Sequence, residues 1–334
     1  MNTRNNTIFN IINAEYGIRG NSLINVTEKI KYLIKNNSLV IDHWVNLNQL
    51  FEVDPIPGSP KKLYITYNLN DIIFDYIYDE MYDKLTKSIR LGSIENHIFI
   101  HVCLKNNGKQ IFFDQLENIK NTQLLDKTKL IHVGVLSETP PMEFIIEIKA
   151  LNLLYNDKIK IEFIQNKMNL WEYPTLTFLY DYALKNINIP MNFLYLHTKG
   201  VNACNDAVAY NRAIRWRKYM EYFLLNKHNE CLNSLNNGTT DTIGVDFKKK
   251  PWPHYSGNFW WTTSEYIIHQ CSPLTMDQKD RFGAEKWLLA PIPLSLNPLD
   301  KSSKKALSLP VNRLCLHNSN TNHYKHSYKE SKYK

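Results

Sequence analysis

The chain has 334 residues, 43% hydrophobic and 22% charged, with a formal net charge of +8 at pH 7. Such a length and apolar content suit a catalytic-sized domain with one accessory unit, and they exclude a disordered chain or a single small module. Five cysteines without a CxxC pair give no disulfide framework or zinc site, and no apolar stretch reaches the roughly 18 to 20 residues of a membrane span.

In chain order, residues 1–75 read as a small β-rich accessory domain. It has an apolar run at Ile8–Ile12, turn chemistry from Gly17 to Gly20, a Pro55-Ile56-Pro57-Gly58 break, and a strand-like alternation over Lys62–Tyr67. Ile72, Ile73, Tyr76, Ile77, Met81 and Leu85 fall near helical spacing and predict a helix from Asp71 to about Leu91, with 76–94 as the connection between domains. Apolar runs of strand length at Ile98–Cys103, Leu130–Leu136, Ile159–Ile164 and Phe193–Leu196 then alternate with helix-like segments. That alternation predicts an α/β domain with a mainly parallel sheet over 95–300. Lysines among Ser, Asn and His predict a solvated, flexible basic tail over 301–334.

Ligands of such sheets bind outside the carboxyl ends of the strands. This singles out His101 near the end of the first strand and His197, Thr198, Lys199 and Gly200 directly after Phe193–Leu196. A lysine there can neutralise a diphosphate, a histidine can donate to a phosphate oxygen, and a glycine lets backbone N–H groups approach an anion. The absence of a GxGxxG or P-loop signature argues against dinucleotide oxidoreductases and P-loop NTPases.

Trp216, Tyr219, Met220 and Phe223 form a helical stripe expected in the core, beside which Arg215 is free to serve a phosphate or an acceptor. The segment from Pro251 to Trp261 gathers His254, Tyr255, Ser256, Asn258 and Trp260. Aromatic faces and small polar groups together suit a sugar, so this segment is expected to form an acceptor wall. Glu285, at the start of an apolar turn, is placed to deprotonate an acceptor hydroxyl.

Taken in order, EYPTL at 172–176, FLYLHTKG at 193–200, RWRKYMEYFLL at 215–225, DTIGVDF at 241–247, HYSGNFWWTTSEYI at 254–267 and RFGAEKWL at 281–288 resemble bacterial and large-virus glycosyltransferase-like proteins. These are related to the glycosyltransferase domains of rhamnan-synthesis protein F and of chlorovirus rhamnosyltransferases. The resemblance implies a GT-A fold, single and Rossmann-like, and a nucleotide-sugar donor. Many GT-A enzymes end the strand occupied here by FLYL in an Asp-x-Asp motif that holds a divalent Mn or Mg ion; His197-Thr198-Lys199 departs from it and puts metal dependence in doubt. Asp206 is the nearby candidate ligand. Glu285 takes the place of an acidic residue before the final helix in the related sequences, which implies a base or acceptor-orienting role. Separately, NAEYG, NVTEKI and LFEVDPIPGSPKKLYITY within the first seventy-odd residues resemble a small domain at the C-terminus of some DnaJ-like proteins.

The expected function is transfer of a hexose or deoxyhexose from a nucleoside diphosphate to a glycan, lipid-linked or protein-linked hydroxyl, in a reducing cytoplasmic compartment and at most peripheral to a membrane. The alternative is a degenerate, transferase-like carbohydrate-binding protein. Nucleic acid is not an expected partner, because only the net charge favours it.

Overall fold

Alternating burial along Phe9–Ile18 (β1) puts Phe9, Ile11 and Tyr16 inside and Asn10 and Ile12 outside, as a sheet covered on one face requires. The structure is a computed structural model that describes residues 8–83, 87–201, 206–271, 282–289, 312–321, 323, 326 and 328–333. After β1 come Ser22–Asn25 (β2), Thr27–Leu33 (α1), Ser38–Ile41 (β3), Leu47–Leu50 (α2), Lys62–Leu69 (β4), Ile72–Asp79 (β5) and Ile89–Gly92 (β6). Four of these strands form an antiparallel sheet ordered β2-β1-β4-β5, and β3 pairs with β6.

The helix expected from Asp71 is instead the strand β5. Asn70 and Asp71 both take left-handed φ, 52° and 66°, the two-residue turn that matches strand twist in a hairpin. β5 then pairs with β4 from Leu69↔Ile72 to Lys62↔Asp79, which satisfies its backbone groups on that side. Leu85 lies outside the described residues. With Ile89 and Leu91 in the core of the first module, that module extends to Gly92, and no connecting helix separates the domains among the described residues.

The second unit runs Glu95–Cys103 (β7), Gly108–Asn121 (α3), Leu124–Lys127 (α4), Leu130–Leu136 (β8), Met142–Asn152 (α5), Ile159–Gln165 (β9), Tyr173–Lys185 (α6), Met191–His197 (β10), Ala207–Glu221 (α7) and His228–Asn236 (α8). It continues with Thr242–Gly244 (β11), Phe247–Lys248 (β12), His254–Tyr255 (β13), Trp260–Thr263 (β14), Ser264–Gln270 (α9), Gly283–Trp287 (α10) and Arg313–Cys315 (β15). Seven strands form one mostly parallel sheet ordered β15-β11-β14-β10-β7-β8-β9. β10, β7, β8 and β9 are parallel, and β14 is antiparallel to both of its neighbours.

Helices cover both faces, which is why β7, β8 and β10 read as continuous apolar runs. Ile98, Ile100, Phe112, Trp216, Tyr219 and Trp261 pack on one face. Phe99, Leu176, Leu179, Tyr195, Trp260 and Tyr266 pack on the other. The expected stripe of Trp216, Tyr219, Met220 and Phe223 is buried.

The expected tail is in part structural. Residues 301–311, Lys325 and Lys334 lie outside the described residues, but β15 adds a parallel edge strand to β11. Side-chain contacts hold the residues after β15: His317 bonds the Tyr219 hydroxyl at 2.8 Å, Asp246 Oδ2 accepts the Ser319 hydroxyl at 2.8 Å, and His323 Nε2 lies 2.7 Å from Asp246 Oδ2. A basic composition predicts solvation only where no such partners exist.

The first module docks at the end of β10 remote from the carboxyl ends. Buried Arg90 on β6 donates to Asn192 Oδ1 at 2.8 Å, to the Leu235 and Met191 carbonyls, and to Glu265 Oε2 at 3.3 Å. His197, at the far end of β10, is about 20 Å from this clamp at the rise of a strand. Among the described residues no helix is long and apolar enough to cross a membrane.

Candidate functional site

The chain winds from β7 through β8 to β9 in one direction, and α6 then returns it to β10 on the other side of β7. A reversal of strand order leaves a crevice at the carboxyl ends of the two flanking strands, because their outgoing connections diverge. His101 on β7 and His197 on β10 are register neighbours there. The β7–α3 and β10–α7 loops meet over the same lip: Asn106 donates to the Val201 carbonyl at 2.7 Å and Asn107 to the Tyr210 hydroxyl at 2.8 Å. The N-terminus of α3, whose free N–H groups favour anions, begins with Gly108 beside these contacts.

Both histidines face α6 and both are neutral. His101 is buried, with Nδ1 2.8 Å from Thr175 Oγ1. Burial lowers its pKa to about 4, with the Glu172 carboxylate opposing and His197 reinforcing. His101 therefore stands behind the lip, and its sequence assignment to the nucleotide is corrected to support. Burial and then the Lys199 charge push His197 down to about 3, against the Gly257 carbonyl bond and the charge of Glu285. His197 Nε2 lies 3.0 Å from that carbonyl. A carbonyl only accepts, so Nε2 carries the proton and Nδ1 is left as an acceptor. Nδ1 is 3.9 Å from Glu172 Oε1, so two acceptors stand side by side at the lip.

Thr198 is buried, and its Oγ1 accepts from the Cys103 N–H at 3.0 Å. It laces β7 to β10 rather than facing a phosphate, which corrects its expected role. Lys199 is half-buried, its ammonium 4.2 Å from the centre of the Trp216 ring. Gly200 takes φ +103°, and a Cβ there would meet Ala213 at 3.1 Å, so the loop closes against α7 only with glycine. Arg215 is exposed on α7 while its neighbours Trp216 and Arg217 are buried.

The aromatic segment is corrected more deeply. Tyr255, Phe259, Trp260 and Trp261 are all core: Tyr255 bonds Thr242, Trp261 Nε1 donates to the Leu224 carbonyl, and Trp260 stacks on Tyr195 at 4.9 Å. Tyr255 and Trp260 therefore form no sugar wall. His254 is buried with Nδ1 2.8 Å from the Trp252 carbonyl, and the half-buried Ser256 donates its N–H to the Asp246 carbonyl. The ring that does reach the surface region is Trp252, half-buried, with Lys286 Nζ 4.3 Å and Phe282 5.8 Å from its ring centre. Its indole N–H meets no acceptor among the described residues.

Asn258 ties this segment to the crevice. At φ +58°, it donates to Glu172 Oε2 at 2.7 Å and accepts from Trp260 Nε1 at 2.8 Å. Tyr195 donates to the same Glu172 oxygen at 2.8 Å. Glu172, at the start of α6 with Pro174 in the first turn, was not singled out from sequence; its only local signal is the EYPTL block. Gly257 completes the junction. A Cβ there would lie 2.4 Å from Met220 Sδ and 3.1 Å from Trp216 Cε2, and φ is +95°. Lys199, Trp216, Gly257, Asn258, Glu172 and His197 are thus contiguous, and the charge of Glu285, half-buried on α10, reaches His197.

The strand end offers no carboxylate pair for a divalent cation. The position of an Asp-x-Asp motif holds a neutral histidine, a laced threonine and a lysine. Asp206 caps α7, accepting from the Val208 and Ala209 N–H groups at 2.9 and 3.0 Å, bonds that lower its pKa. Among the described residues no three His, Cys, Asp or Glu side chains gather for a metal.

A cavity of about 670 Å³ lies over the carboxyl ends of β8 and β9, lined by Ser137, Glu138, Thr139, Ile164, Gln165 and Lys167 among others. At the spacing of paired strands it sits about 10 Å along the same edge from the His197 lip.

No curated protein and no solved structure matches the chain. The family model that does match describes a domain of unknown function, DUF8361, over residues 96–329, from β7 through β15 and His323. Because that match spans well over half of the 334 residues, the chain belongs to the DUF8361 family.

Proposed function

We propose that the chain is a glycosyltransferase of GT-A type that moves a hexose or deoxyhexose from a nucleoside-diphosphate sugar to a hydroxyl of a glycan or glycoconjugate. The observation that carries this reading is the convergence of Lys199, neutral His197 and the Glu172–Asn258 pair at one strand-order reversal. A pyrophosphate needs positive charge and N–H donors, which Lys199 and the α3 N-terminus provide. Sugar hydroxyls need fixed acceptors, which His197 Nδ1 and Glu172 Oε1 provide. The cavity over β8 and β9 has the size of a small-molecule site and lies on the same edge, so it suits the nucleoside.

In this reading Lys199 neutralises charge on the departing diphosphate, a role otherwise given to a metal. Glu285 takes the proton of the acceptor hydroxyl, and Trp252 replaces the buried Trp260 as the aromatic face for the acceptor. The alternative, a degenerate carbohydrate-binding protein, is motivated by the missing Asp-x-Asp pair, and the burial of the expected wall bears on both readings alike.

A thermal-shift screen of nucleoside diphosphates and their sugars tests the reading. A donor at one hundred times its dissociation constant adds about 2.7 kcal/mol to stability and raises the melting temperature. With the stabilising donor in hand, Glu285→Gln lowers turnover by about two orders of magnitude. Near-normal turnover removes Glu285 as the base, and stabilisation by no nucleotide removes the donor reading.

A further inference from the structure

The C-terminal segment returns to the lip through one buried contact set. Asp246, fully buried at φ +48°, receives the Ser319 hydroxyl at 2.8 and 2.9 Å and the Ser319 N–H, and its Oδ2 lies 2.7 Å from His323 Nε2. The His323 ring stacks on Trp216, centroids 5.1 Å apart and planes 9° from parallel. The same indole carries Lys199, and its edge meets Gly257, whose carbonyl holds His197. The backbone carbonyl of Asp246 also receives the Ser256 N–H. Asp246 therefore fixes the C-terminal segment with its carboxylate and the His254–Asn258 loop with its main chain.

We propose that His323 is a positioning residue for Lys199, acting through the Trp216 indole, so that the C-terminal segment sets the cationic group at the crevice. Its geometry makes this specific. A flat ring held within a few degrees of parallel by a bond to a buried carboxylate restricts the indole, and the ammonium follows the face on which it rests. Without His323 the indole gains room to turn, and Lys199 loses its platform. The positioning itself needs no assumption about activity; only its consequence for ligand binding rests on the glycosyltransferase reading.

The test is acetylation of the full-length protein with N-acetoxysuccinimide, following each lysine by peptide mass spectrometry. Loss of the platform raises the Lys199 rate by about fivefold in His323→Ala while the other lysines keep theirs. His323→Gln retains a donor for Asp246 but no ring, and guards against a fold that fails without that bond; it gives the same rise. His323→Phe, which keeps a ring against Trp216 but lacks the bond to Asp246, gives a Lys199 rate between those of wild type and His323→Ala. A Lys199 rate unchanged in both His323→Ala and His323→Gln overturns the proposal.

A second arm uses inorganic pyrophosphate and a panel of nucleoside diphosphates in calorimetry. His323→Gln weakens binding about fivefold, and on a Lys199→Ala background the same change adds little, because both act through one group. Full additivity of the two substitutions overturns the coupling. Acetylation that responds as expected, in a wild-type protein that binds none of these anions, upholds the positioning role and refutes the donor reading.

Discussion

His197 lends itself to a measurement that separates its environment from everything else that titrates. Its imidazole is held at about 3 in the folded chain, against about 6.5 when unfolded. Between these values the unfolded chain binds a proton that the folded chain refuses, so stability falls as pH drops below about 6.5 and continues to fall towards 3. At pH 5 the loss relative to pH 7.5 is about 2 kcal/mol from this one group. His197→Gln removes the titration while keeping an N–H for the Gly257 carbonyl. Urea-unfolding midpoints of the two proteins, followed by tryptophan fluorescence from pH 7.5 to 5, should therefore converge as the pH falls, by about 2 kcal/mol in wild-type stability relative to the variant. His101, held at about 4, destabilises both proteins alike and cancels. Parallel curves would show that His197 takes up a proton freely and is not held as a neutral acceptor at Nδ1.

Glu221 gives the opposite sign. Burial raises its carboxyl to about 7, against the nearby Arg217, so its contribution is present below about 4.3 and is lost as pH rises through 7; wild type should lose on the order of 2 to 3 kcal/mol relative to Glu221→Gln between pH 5 and 8, read by the same midpoints. Gly257→Ala places a Cβ 2.4 Å from Met220 Sδ at φ +95°; left-handed strain and overpacking together should destabilise by about 2 to 4 kcal/mol, and an unchanged melting temperature would mean that the loop shifts freely. Arg90→Met leaves Asn192 Oδ1 without this donor and Glu265 Oε2 with the Ser264 hydroxyl but no cation, and should lower stability by about 3 to 5 kcal/mol in calorimetry; a loss within a few tenths would mean that the modules do not depend on this clamp.

The α/β alternation was legible because both sheet faces are covered, so β7, β8 and β10 are unbroken apolar runs of strand length. The stripe at Trp216, Tyr219, Met220 and Phe223 was legible for the same reason at helical period. β5 was not, since the first half of this edge strand is exposed on both faces and carries no alternation: Ile72, Ile73, Phe74 and also Ile77 face solvent to a large extent, and only Tyr76 and Tyr78 turn to the core, so the spacing mimics a helix. What decides the element is the Asn70-Asp71 turn, two residues whose side chains tolerate left-handed backbone. The C-terminal segment was misread because composition cannot register a single buried partner. Asp246 lies 77 positions before His323, and its carboxylate anchors Ser319 as well, polar residues that composition reads as solvated.

The site obeys the same logic. Composition singled out the lip at His197 and Lys199 because strand ends are local features, but it assigned the rings of 254–261 to a sugar when a doubly covered sheet had already claimed them. Glu172 escaped because its worth depends on Asn258, 86 positions away. Local backbone still marks both ends of that bond. Trp171, directly before Glu172, sits at φ +46°, and Asn258 itself sits at φ +58°. A bulky residue in that region costs about 1 kcal/mol or more and persists only where surrounding contacts over-determine it. Asparagine tolerates that backbone and tryptophan does not, so the strain sits at Trp171, next to the carboxylate that Asn258 and Tyr195 hold still, and that is a reason to look to Glu172 as closely as to Glu285.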